Sequence, residues 1–395
     1  MNMSPSWSYS TLILYILMGI LGAWCCQKAK RTELMSGIKR TILSREYWPL
    51  YAVWVFLAVF RLIEGGIGGT DAPNYIKYFQ ECLTMSEDST EVVFKWFNQG
   101  IRLVFSDYHW YFLLFYSLLV ITMVFVINEF SRAETTCIPL CILVFLFIRS
   151  FSTMRSIMAG MVLLASVVFL NRKAYWQAAL FAVLAVFTHV SAIIYAVFYA
   201  YYFLFYKREI SVRQSIVLFV LAYGVAVVGQ QLIVSGALPF LRNIGTGAYE
   251  SYASYSLGKS FREMFNISNI PQVALAAAMM LFQKEINGKI NAQEPTEARK
   301  IKVLTHLCYF DFFAVPVITV LGVYRGYEFF YVARLIMWGE LIPIVQGKVE
   351  DILGLKFSRY VPYAFAGVFI LWMCTRFEAY SETSGLMPYM LEFFR

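Results

Sequence analysis

The sequence predicts an all-α polytopic membrane protein of about twelve transmembrane helices. Three observations carry that prediction. The chain is 59% hydrophobic and 18% aromatic with only 15% charged residues, and its mean hydropathy is +0.61. Apolar runs approaching the ~20 residues that a bilayer crossing needs recur along the whole length. In lipid the backbone must satisfy its own hydrogen bonds, which leaves helices or closed barrels, and runs this long are not barrel strands.

Taken in order, the first apolar segment (about 9–26) lacks a basic leader and a small-residue cleavage site, so it reads as an anchor with its amino terminus outside. Further crossings are predicted near 47–64, 109–128, 137–151, 155–170, 174–187, 190–206, 213–234, 270–284, 302–322, 327–346 and 360–377. They form one membrane domain over 1–395, with outer loops at about 65–108 and 236–268 and an inner loop at about 284–302. Lys and Arg concentrate on the cytoplasmic side of such proteins. The first inner loop alone carries Lys28, Lys30, Arg31, Lys39, Arg40 and Arg45, a contact for anionic lipid head groups. This bias accounts for the net charge of +8 without a nucleic-acid partner.

The stretch 147–192 organises the rest. Arg149, Arg155 and His189 interrupt an otherwise apolar run, and an ionisable group at bilayer depth is costly unless paired or facing water. Basic pairs flank segment 174–206 at both ends (Arg172-Lys173 and Lys207-Arg208). One helix of that length would extend about 48 Å against a hydrocarbon core of ~30 Å. The segment is therefore expected to turn at Thr188-His189-Val190-Ser191, with a first arm too short for a full crossing. The run 137–148 is short as well. Two short helix pairs would then place Arg149, Arg155 and His189 in a recess opening outward. Arg155 alone could instead snorkel to the interface.

Other stretches supply partners for that recess. After Arg61 comes Gly65-Gly-Ile-Gly-Gly69-Thr-Asp71, a turn-rich loop where backbone can approach a ligand closely. Asp71 either caps a short interfacial helix bearing Tyr75 and Tyr78 or faces the arginines. The loop that follows sets Glu81, Glu87, Asp88, Glu91 and Asp107 against Phe94, Trp96, Phe97, Ile101 and Val104, so it is acidic and amphipathic and is expected to lie on the outer leaflet. Tyr249, Tyr252 and Tyr255 are either an aromatic belt or a sugar-stacking platform. Tyr327, Tyr331 and Arg334 fall at i, i+4 and i+7, one stripe on one helix, just beyond Arg325. Arg334 faces the recess or pairs structurally with Asp311 or Glu340. The seven cysteines show no metal spacing, and no phosphate-binding glycine loop or metalloprotease motif occurs, so neither a metal nor another cofactor is expected.

Arg61 with Gly-Thr-Asp71 and Tyr75, Met154-Arg-Ser-Ile-Met-Ala-Gly160, Thr-His189-Val-Ser191-Ala, and Tyr331-Val-Ala-Arg334 resemble the motifs of EpsG-type exopolysaccharide polymerases, relatives of Wzy-type O-antigen and capsule polymerases. The resemblance spans about 61–335, in order. The family often has Arg-Gln where this chain has Arg155-Ser156, so Ser156 inherits no role. The resemblance implies a bacterial inner-membrane, multi-pass glycosyltransferase of the integral GT-C kind. It would act on undecaprenyl-pyrophosphate-linked repeat units at the outer face. Membrane lipids and a chain-length regulator would be its other partners. Arginine suits a departing pyrophosphate because its planar fork stays charged and binds phosphate oxygens in pairs. Arg155, Arg334, Arg149, Arg325 and Arg61 are the candidate cations. His189 or Asp71 would serve as base, and Tyr75, Tyr252, Tyr327 and Tyr331 would meet the glycan.

Two other functions fit the same residues. A lipid-linked oligosaccharide flippase or transporter would also need a basic cavity, but its site belongs near mid-membrane between internal repeats, and none is visible. An integral glucosyltransferase or ligase acting on a finished glycan differs only in its acceptor. A membrane O-acyltransferase lacks a local histidine motif suited to acyl-donor chemistry.

Overall fold

The computed structural model describes residues 5–37, 41–85, 90–131, 134–234, 269–321, 330–386 and 388–394. Among them the chain is helical and no strand occurs; one antiparallel bridge joins Arg61 to Leu391. The helices are α1 (Pro5–Ser36), α2 (Trp48–Val59), α3 (Ala72–Glu81), α4 (Val92–Arg102), α5 (Tyr108–Phe130), α6 (Glu134–Leu143), α7 (Leu146–Arg149), α8 (Met154–Asn171) and α9 (Tyr175–Thr188). They continue as α10 (Ile194–Phe205), α11 (Val212–Val234), α12 (Ile270–Leu281), α13 (Gln283–Ala292), α14 (Pro295–Leu321), α15 (Tyr331–Leu353), α16 (Leu355–Ser358) and α17 (Val361–Ser384).

Among the described residues six helical stretches are long and apolar enough to cross a membrane: Tyr9–Ser36, Tyr108–Phe130, Met154–Asn171, Val212–Gln231, Pro295–Val320 and Leu355–Phe377. The expected count of about twelve is not reached by this measure. Helices α2, α10 and α12 have 12 residues each and α9 has 14. At ~1.5 Å per residue they extend only about 18–21 Å of a ~30 Å core. Helix α15 has the length but carries Arg334, Glu340, Lys348, Glu350 and Asp351.

The chain groups into two compact units, residues 1–190 with 338–395, and residues 191–337. In the first, α1 packs on α2 and α6, α2 on α5, α5 on α8, and α8 on α9. The hairpin between α8 and α9 is tight because Lys173 adopts φ 61°, reversing the chain over three residues. In the second, α14 is central, packed by α10, α11, α12 and α13.

Helices α3 and α4 of the stretch 65–108 fold back onto the rest of the first unit. Helix α4 turns Phe94, Asn98 and Ile101 inward and packs on α3, α5 and α9, leaving Trp96, Leu103 and Val104 exposed. Its amphipathic pattern therefore serves a helical floor as well as an outward apolar edge. The glycine loop is held by two neighbours. Gly69 adopts φ 106° and an added Cβ would overlap the Phe151 carbonyl, so only glycine fits this approach. Its N–H donates to the Gly385 carbonyl at 3.0 Å, and Leu62 N–H donates to Met390 O at 2.7 Å. The segment after α17 thus straps the loop down.

Candidate functional site

Three helix ends meet in the first unit: the start of α4, the start of α8 and the end of α9. Helix α9 stops at Thr188 because His189 turns extended (φ −157°, ψ 117°), its N–H still bound to the Ala185 carbonyl at 2.9 Å. The expected break at 188–191 is therefore present. Arg155 is the second residue of α8, where the helix dipole disfavours a cation. Glu91 precedes α4 at its N-cap position, but its carboxylate makes no cap bond. It reaches instead to the other two ends.

Glu91 bridges the pair. Arg155 Nη1 donates to Glu91 Oε2 at 2.6 Å, and His189 Nδ1 lies 2.9 Å from Oε1. The Val190 N–H adds a longer contact to Oε1 at 3.4 Å. Burial by itself would raise the Glu91 carboxyl, but the His189 hydrogen bond and the Arg155 charge overcome it and lower the pKa to about 2. Glu91 is thus ionised at neutral pH and can only accept, so Nδ1 of His189 carries the proton toward it. In the neutral ring Nε2 is then an acceptor. That atom is buried and has no hydrogen-bond partner among the described residues.

An aromatic floor supports the bridge. The Arg155 guanidinium lies 5.4 Å from the centre of the Phe94 ring, within cation–π range. Tyr78 stacks on Phe94 at 5.7 Å, and Tyr75 meets it edge-on at 6.1 Å. Tyr75 is buried in this cluster, so it braces the floor and offers no open sugar platform.

The remaining candidates fall elsewhere. Arg61 is 1% exposed. Its guanidinium donates to the carbonyls of Ala58, Gly68 and Phe151, and it is ringed by Phe112, Tyr116 and Phe151 at 4.6–5.2 Å. It joins the end of α2 to the glycine loop and presents no face to a ligand. Asp71 is the N-cap residue of α3 without a side-chain cap bond, and its carbonyl accepts from Asn74 and Tyr75. Next to it, Thr70 Oγ1 and Ser152 Oγ share a hydrogen bond of 2.7 Å, which docks the loop on the turn leading into α8. Arg149 ends α7 half-buried; its carbonyl accepts from Ser152 and Thr153.

In the second unit Arg334 pairs with Asp311. Nη2 donates to Oδ1 at 3.1 Å and Nε lies 2.5 Å from Oδ2, with both side chains almost fully buried. Glu340 instead accepts from Ser131 at 2.8 Å in the first unit. Tyr252, Arg325 and Tyr327 lie outside the described residues, as does the Tyr331 side chain.

Glu91 is the member that sequence reasoning passed over. It stands 64 residues from Arg155 and 98 from His189, and in the sequence it is one acid among several in a polar loop. The local signal was a glutamate at a helix start where Ser, Thr, Asp or Asn would cap better. No curated protein and no solved structure matches the chain. The sequence model of the EpsG family matches residues 47–391, a span that contains Glu91, Arg155, His189 and Arg334. With nearly its whole length covered, the chain belongs to the EpsG family, a family of Wzy-type polysaccharide polymerases.

Proposed function

We propose that this protein polymerises undecaprenyl-pyrophosphate-linked repeat units at the outer face of a bacterial inner membrane. The observation that carries the reading is the Glu91 carboxylate joining a cation and a histidine whose outer nitrogen is unpartnered among the described residues. Family membership sets the reaction class, and this cluster supplies groups suited to it.

In the proposed step an acceptor hydroxyl attacks the anomeric carbon of the donor glycan. The new C–O bond forms as the bond to the pyrophosphate oxygen breaks, and lipid pyrophosphate departs with the electron pair. The hydroxyl proton passes to His189 Nε2, which Glu91 holds in the receptive tautomer through Nδ1. Arg155, at the start of α8, would face the charge that develops on the leaving group. Arg149 and Arg325 are further candidates for that charge, and Asp71 is the alternative base. Tyr252, Tyr327 and Tyr331 are candidates for glycan contact, and a chain-length regulator for a partner. Arg61 and Arg334, whose donors already meet carbonyls and a carboxylate, are given no part in the step.

A glycan ladder from a deletion strain tests the reading. Loss of the polymerase should leave single repeat units on the lipid acceptor, restored to long chains by the wild-type gene. Complete absence of surface glycan would point to a flippase, and full-length chains lacking a decoration to a modifying transferase. Either result would overturn the proposal.

A further inference from the structure

The second unit holds a cavity of about 70 Å³, with polar and apolar walls, that the polymerisation step does not use. It lies between the turn 208–210, α13 and the first half of α14. Lys302, Thr305 and His306 share one face of α14 at i, i+3 and i+4 and form one wall. Asn287 and Arg208 stand on the others. His306 is buried, with Nδ1 3.2 Å from the Tyr201 hydroxyl, which fixes its ring.

The charges here are unbalanced. Lys302 is half-buried, yet neither it nor Arg208 has an ion-pair partner among the described residues. Glu209 also lines the cavity, but its carboxylate accepts from Asn287 Nδ2 at 2.8 Å and pairs with neither cation. Two cations and one carboxylate line the cavity, which leaves it net positive, and a partly buried ammonium is costly unless paired.

We propose that this cavity binds the phosphate group of an anionic ligand, with Lys302, Arg208 and His306 as its donors. Size narrows the choice. A water needs roughly 10–15 Å³ by the same measure, so 70 Å³ admits a group of a few heavy atoms such as a phosphate. The phosphate enters while the rest of the ligand stays outside. The charge pattern of the sequence puts this end of α11 and α14 on the inner side, where anionic head groups are abundant. A phospholipid head group and a soluble phosphate share this chemistry.

Thermal unfolding of the delipidated full chain separates them. It would be measured in detergent with inorganic phosphate, against sodium chloride of equal ionic strength. A parallel series uses vesicles of phosphatidylcholine with and without phosphatidylglycerol. A ligand at 100 times its dissociation constant multiplies the folded-to-unfolded ratio about 100-fold, a readable rise in midpoint. A rise with both probes assigns the site to phosphate as such. A rise with phosphatidylglycerol alone assigns it to lipid. Lys302→Gln and Arg208→Gln should each lose most of the rise, whereas Lys207→Gln, just outside the cavity, should keep it. Arg208 is exposed, so its variant should fold even if Lys302→Gln does not. No rise with either probe overturns the proposal, as does an equal loss in Lys207→Gln, which would mark a diffuse surface charge.

Discussion

Among the arginines that meet a carboxylate, Arg155 in the first unit and Arg334 in the second differ most usefully in their surroundings. Arg155 and Glu91 keep 26% and 17% of their side chains exposed, and their carboxylate is shared with a histidine. Arg334 and Asp311 keep 3% and 2%. In the first case a partly exposed cation stands at a helix start where the dipole opposes it, against Glu91 and the Phe94 ring. In the second, both charges are already neutralised inside the fold. A buried pair of this kind is weak as a source of stability but expensive to break singly. The lesson is that an arginine in an apolar run identifies a place to look, while its exposure and its third partner tell what it does.

The largest effect should come from breaking the buried pair. Arg334→Ala leaves Asp311 buried and uncompensated, and should cost about 3–5 kcal/mol of stability. The amount of folded protein in the membrane and its unfolding midpoint would fall, and Arg334→Met with Asp311→Leu should recover much of both. Normal folding of Arg334→Ala with lost polymerisation would reverse the comparison and make Arg334 the working cation.

In the partly exposed cluster the losses should be of rate. His189→Gln should fold and bind lipid-linked substrate yet lose on the order of 10²–10⁴ in turnover, because it cannot take up a proton. Near-normal turnover would make His189 an orienting residue and move the base to Asp71. Arg155→Ala should lose about 10²–10³ in turnover with little change in unfolding midpoint, and Arg155→Lys should stay poor because a point charge does not replace the fork. Purified protein with lipid-linked repeat units gives both readings.

Glu91→Gln should cost less, on the order of 10- to 100-fold, the usual price of losing a partner that orients a working histidine. Its acid dependence sharpens the point. A carboxyl whose pKa is lowered to about 2 contributes fully above the ordinary carboxylate range and loses that contribution only as pH falls toward 2. The Glu91 carboxyl should therefore stay ionised at pH 5 as at pH 7, which infrared difference spectra of wild type against Glu91→Gln can check. A protonated Glu91 carboxyl at pH 5 would mean that the bridge is already open there.

Much of this protein was readable before any tertiary contact was known. Composition and run length determined an all-helical membrane protein, because a backbone in lipid has few ways to bond itself. Basic flanks and helix length determined that 174–206 must break, and it breaks at His189. Arg155, His189 and Arg334 stood out because charge in an apolar run is costly wherever it sits. The partners were a different matter. Whether Arg334 met Asp311 or Glu340 stayed open, since residues 23 positions apart on separate helices become neighbours only once the helices cross. Arg61 looked like a ligand-facing cation beside a glycine loop, and the fold made it a buried clamp by bringing Phe112, Tyr116 and Phe151 around it. Glu91 looked like one loop acid among several, and became the centre of the candidate site when α4 folded back onto α5 and α9, beside the start of α8. Local sequence fixes where a charge is expensive, but only tertiary structure decides which group balances it, because that depends on the three-dimensional meeting of segments far apart in the chain.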